Sequence, residues 1–188
     1  MSQDETLVVR PPKHEALWPR SLFEVGMGSL IVARFKSGGT RVEAGVFLLD
    51  VWCLGVKSAF YATFDRDAYV RDFRADYISR FDMVNLEPAC ARKLVEQARD
   101  YALDLGFAPH PDAKQAARVF GGISAAECTS SFTFGHEGKP HYFAGPRATA
   151  EQSRRIVLQL AKRCGAGNFH VTLPVGDPRL PPDPNDLG

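Results

Sequence analysis

The stretch Ser29–Phe64, SLIVARFKSGGTRVEAGVFLLDVWCLGVKSAFYATF, constrains the fold more than any other. Leu30 to Phe35 is apolar and β-branched apart from Arg34, and Ser37-Gly38-Gly39-Thr40 then supplies a turn cluster. Two strand-like runs around such a cluster are a hairpin signal, and glycine takes positive φ there without a Cβ penalty. From Arg41 to Val51 the chain first alternates, with Arg41, Glu43 and Gly45 on one face and Val42, Ala44 and Val46 on the other. It then becomes continuously apolar through Val46-Phe47-Leu48-Leu49. Continuous apolarity means burial on both faces, so this run reads as a central strand. Leu54 to Phe64 alternates again. Three strands with short links predict an antiparallel meander, with helices laid against it.

The remainder of the chain supplies those helices. Tyr69, Val70, Phe73, Tyr77 and Phe81 recur at helical steps after Asp65. Asn85-Leu86-Glu87-Pro88 opens a longer helix whose inward positions run from Ala91 to Leu105, with Gly106 placed to end it. Asp112 begins a brief helix closed by Gly121-Gly122. Ser131–Phe134 and Pro140–Phe143 flank a Gly-containing loop and predict a second hairpin. Thr149-Ala150-Glu151-Gln152 is a capping box that opens a last helix, and Asn168 to Leu173 reads as a short final strand. The expected fold class is therefore α+β. An antiparallel sheet (N-terminal meander, later hairpin, short last strand) is covered by three or four helices. The division is a mobile arm over residues 1–16, one domain over 17–173, and an unstructured Pro-rich tail over 174–188.

Composition limits the function classes. The net charge is +1, which gives no bulk electrostatic case for nucleic acid or membrane. No apolar run approaches membrane-span length, and the acidic-then-apolar N-terminus is the wrong order for a signal peptide. The four cysteines, Cys53, Cys90, Cys128 and Cys164, contain no CxxC pair and read as reduced, mostly buried thiols. The expectation is a soluble, cytoplasmic protein without a cofactor.

Several constellations bear on chemistry. Gly135 to Lys139 reads G-x-x-G-K but lacks the spacing and the Ser/Thr of a phosphate loop. His136 and His141 flank the loop of the second hairpin and are the candidate metal ligands. Cys128 lies just ahead of that hairpin and is the candidate thiol nucleophile, with either histidine as base. A three-stranded meander followed by helices resembles the start of ribonuclease H-like nucleases, where carboxylates on central elements hold divalent metals. That analogy selects Glu43 and Asp50, although the first strand has no aspartate where such nucleases carry one. Lys57 sits in an apolar strand, either on its solvent side or paired with Asp50 or Glu43.

Two surfaces suggest binding. Trp18 is a candidate partner anchor, against the plainer expectation that it packs on its own domain. Arg147, Arg154, Arg155 and Lys162 form a positive stripe on the last helix and its approach, which suits phosphate contact. The leading reading is a non-enzymatic binding or accessory module acting through a protein partner or nucleic acid. The alternative is a metal-dependent hydrolase or nuclease with ribonuclease H-like carboxylates, or a Cys/His-based hydrolase.

Overall fold

The computed structural model describes residues 13–173. Most of the expected arm (1–12) and the Pro-rich tail (174–188) lie outside the described residues. The sheet contains β1 (His14–Pro19), β2 (Met27–Phe35), β3 (Arg41–Asp50), β4 (Gly55–Asp65) and β5 (Met83–Asn85), in the order β4-β3-β2-β1-β5. Every pairing is antiparallel. The meander β2-β3-β4 lies where the hydrophobic pattern put it. Two strands extend it beyond the sequence reading. His14–Ala16 belongs to β1 and not to a mobile arm, and β5 forms the far edge.

Both faces of β3 are buried. Phe47 and Leu49 face one helical layer, and Val42, Ala44 and Val46 face the other. Full burial of a Phe or Leu side chain stabilises by about 1.5–3 kcal/mol. The first layer is α4 (Pro88–Leu105), together with α5 (Ala113–Ala116) and the 3-10 turn Ala117–Phe120. Gly45 permits this contact, because a Cβ there would lie 2.6 Å from the Ala116 carbonyl oxygen. The second layer runs from α2 (Arg66–Ala68) through a π-helical turn, Tyr69–Arg74, into α3 (Ala75–Arg80). Tyr69 anchors it, donating its hydroxyl to Glu15 on β1 at 2.9 Å, while Arg74 pairs with the same carboxylate at 2.9 Å.

The expected second hairpin does not form. Ser131–Phe134 is not a strand, and β6 (His141–Phe143) pairs in parallel with β7 (His170–Thr172) as a separate two-stranded sheet. The helix between them, α6 (Ala150–Cys164), carries the predicted capping box. Thr149 Oγ1 accepts from Gln152 N at 3.1 Å, and Thr149 N donates to Gln152 Oε1 at 3.0 Å. The small sheet and α6 enclose their own core around Tyr142 and Leu160.

The reduced-thiol expectation is corrected for two cysteines. Cys90, at the start of α4, is disulfide-bonded to Cys128 beyond the 3-10 turn Ala125–Glu127. Residues 38 apart in sequence meet because that loop folds back over the first turns of α4. Lys93 reinforces the contact by donating to the carbonyls of Cys128 and Ser130. Cys53 is buried and free, and burial pushes its thiol pKa up, away from reactivity. No helix among the described residues is long and apolar enough to cross a membrane.

Candidate functional site

Three environments bear on function, and two of them hold residues singled out from sequence. Glu43 and Asp50 are seven residues apart on β3, an odd number, so they emerge on opposite faces. At about 3.3 Å per residue they are also roughly 23 Å apart along the strand. They cannot share a metal ion. Burial raises the Glu43 pKa, but the Lys36 ammonium at 2.9 Å, with help from Tyr61 and Arg34, outweighs it and holds the carboxylate ionised. Cys128 is closed as a nucleophile by its bond to Cys90.

The second environment gathers Asp50, His136 and His141 around Trp52. Asp50 ends β3 with only 5% of its surface exposed. Its Oδ1 accepts from the backbone N–H groups of Cys53 at 2.9 Å and Trp52 at 3.1 Å, shaping the turn into β4. Burial raises its pKa, and those bonds and the Lys57 charge oppose the rise. Lys57 does not follow the alternation. It is the extra residue of a β-bulge, since Leu48 faces Ser58 while Leu49 faces Val56. It is half-buried, with Nζ 3.8 Å from Met27 Sδ. Trp52 stacks on His141, ring centroids 5.3 Å apart and planes 4° apart, and its centroid lies 4.4 Å from that of His136. The indole N–H donates to the Phe23 carbonyl at 3.1 Å. His141 Nε2 bonds Thr172 Oγ1 at 2.8 Å, and its Nδ1 is buried without a partner. Burial first, then the neighbouring His136 and His170, lower the His141 pKa, so the ring is neutral near pH 7. Sequence placed His136 and His141 near each other, and they are. Their ring neighbour is an indole, and no group of three or more His, Cys, Asp or Glu among the described residues is arranged to hold a metal.

The third environment was missed in the sequence. A cavity of about 740 Å³ lies between α4 and residues 109–121. Its floor is apolar: Val56 of β4, Val95 of α4 and Phe120 of the 3-10 turn. Its rim carries Arg92 and Arg99 from α4, and Lys114 and Arg118 from the facing segment, against one lining carboxylate, Glu96. Arg92 pairs with Glu96 at 2.7 Å and donates to the Ile123 carbonyl; Arg99 pairs with Asp100 at 2.7 Å. Lys114 and Arg118 are exposed and have no acidic partner within 4 Å among the described residues. The His110 backbone N–H, bonded to the Val56 carbonyl at 2.9 Å, fixes the facing segment to the sheet. The legible signal was spacing. Arg92 and Arg99 are seven apart and Lys114 and Arg118 four apart, so each pair shares a helix face.

The predicted binding residues lie elsewhere. Trp18 is half-buried and packs edge-on to Phe23 and Phe132, with centroids at 6.1 and 6.3 Å. Arg147, Arg154, Arg155 and Lys162 are exposed on α6 and its approach, and none lines the cleft. Arg155 is paired with Glu151 at 3.5 Å. No family model matches the chain, and neither the curated proteins nor the solved structures contain a significant match to it.

Proposed function

We propose that the protein is a non-enzymatic binding module that seats an acidic, partly apolar segment of a partner protein. The cleft between α4 and residues 109–121 is the binding site. The observation that carries this reading is the convergence of Arg92, Arg99, Lys114 and Arg118 around an apolar floor in one concavity of about 740 Å³. The cavity volume falls within the range of ligand sites, and apolar walls with a few convergent polar groups are their usual chemistry. Lys114 and Arg118 supply unopposed charge for carboxylates, and the floor supplies a place for an apolar side chain. Nucleic acid fits less well. Strand binding relies on exposed aromatic rings for stacking, and Phe120, the aromatic residue of the floor, is only 3% exposed.

Catalysis is disfavoured on the same grounds. The acids proposed for it, Glu43 and Asp50, emerge on opposite faces of β3 and cannot share a metal, and the proposed thiol is a disulfide. The test is amide chemical-shift perturbation of the full chain. One titration uses a synthetic acidic peptide of alternating Asp and Leu, the other oligothymidylate. Saturable shifts at Ala113, Lys114, Ala117 and Arg118 with the peptide support the reading. Shifts with oligothymidylate alone replace it with a nucleic-acid site, and shifts with neither refute it.

A further inference from the structure

A second cavity, 410 Å³, lies where the corner between α1 (Leu22–Val25) and β2 faces the Trp52–His141 stack. It is separate from the cleft and shares no lining residue with it. Its mouth is apolar in a way the fold does not require. Val25 and Phe143 both border it with 59% and 50% of their surface exposed. Deeper in, Met27, Trp52 and Asp50 form the wall.

The hydrogen-bonding groups around this cavity are unbalanced. Several of its donors are already committed, while the buried Nδ1 of His141 has no partner. The backbone N–H of Val25 donates to Ser21 at 3.0 Å and that of Gly26 to Leu22 at 2.8 Å. The Trp52 indole donates to Phe23, and His141 Nε2 is engaged by Thr172. Two carboxylates add acceptor character to the lining. Glu24 lines the cavity, is exposed, and has no cationic partner within 4 Å among the described residues. Asp50 contributes a second carboxylate, partly offset by the Lys57 charge, and Lys57 itself is not part of the lining. Carboxylates beside aromatic rings and a thioether are complementary to an organic cation. An ammonium offers three donors, and its charge is attracted to ring faces.

We infer that this cavity binds a small free amine bearing an aromatic or branched apolar group. Glu24 and Asp50 take the ammonium, and Val25, Trp52 and Phe143 cover the apolar part. This site is independent of the cleft and stands or falls without it.

The test follows the Trp52 indole N–H in ¹H–¹⁵N spectra of the full chain, with Trp18→Phe to assign it, during titration with benzylamine. A saturable shift is expected. Glu24→Gln and Phe143→Ser, both at exposed positions, should each weaken binding by about tenfold, the equivalent of one lost charged or aromatic contact. Asp50→Asn keeps the turn-closing oxygen and should also weaken it. Benzyl alcohol, which lacks the charge, should bind at least about tenfold less well. No saturable shift overturns the inference. So does equal binding of the alcohol, which would make the cavity merely apolar. Tighter binding of Nα-acetyl-lysine amide than of benzylamine also overturns it, because the occupant would then be a protein side chain.

Discussion

Asp50 Oδ1 sits 2.9 Å from the backbone nitrogen of Cys53, and this bond closes the turn between β3 and β4. The same oxygen accepts from Trp52. Asp50→Ala should cost about 1–3 kcal/mol, because two N–H groups at a buried turn lose their acceptor. Asp50→Asn keeps an acceptor oxygen and should cost less than half as much. Urea denaturation of the two variants checks the difference. Equal losses would mean that the charge, and not the hydrogen bonds, holds the turn.

Gly55 and Gly38 separate backbone strain from close packing. Both have positive φ, at 63° and 69°. A Cβ at Gly55 would meet the Ala98 carbonyl oxygen at 2.4 Å, whereas at Gly38 nothing lies within 4 Å. Gly38→Ala should therefore cost about 1 kcal/mol, from conformation alone. Gly55→Ala should cost at least about 2 kcal/mol more, since α4 must shift on the sheet. Thermal melts followed by circular dichroism give both values.

The Cys90–Cys128 bond closes a loop across a sequence separation of 38. Chain-entropy reasoning gives it about 4 kcal/mol of stabilisation. Urea midpoints with and without reductant, and of Cys90→Ala combined with Cys128→Ala, should fall together. An unchanged midpoint under reductant would show that the contacts of Lys93 and Arg92 hold the loop without the bond.

Two histidines set an acid-side limit on stability. His14 and His141 both have lowered pKa values, in each case first from burial. The unfolded chain protonates them near pH 6.5, before the folded chain does. Their contribution is present above that pH and lost as pH falls from it through their lowered folded values, so unfolding midpoints should drop on acidification below about pH 6.5. His14→Gln together with His141→Gln should flatten the decline.

What could be read from residue order was whatever depends on local pattern. The continuous Val46–Leu49 run marked β3 as buried on both faces, although β2 and not β3 is the middle strand; the glycines after Ser37 marked its turn, and Thr149 with Gln152 marked the start of α6. Strand β1 was hidden because Pro19 and the charged Glu15 interrupt the alternation, and its pairing with β2 is a tertiary fact. The parallel β6–β7 pair was hidden because a whole helix separates its strands, and a loop flanked by apolar residues reads as a hairpin. The disulfide left no spacing signal. The cleft escaped because its four cations come from two helical segments in pairs, and only the fold closes them around Val56 and Phe120.

The central claim is that this cleft binds an acidic, partly apolar segment. Isothermal titration of the full chain with an acidic Asp-Leu peptide, at low and at physiological salt, tests it most directly. Lys114→Glu combined with Arg118→Glu serves as the comparison, because both side chains are exposed and their reversal leaves the core untouched. The expected result is binding that weakens as salt rises and falls at least about tenfold in the reversed variant. Equal affinity of the two proteins, or binding indifferent to salt, would contradict the account.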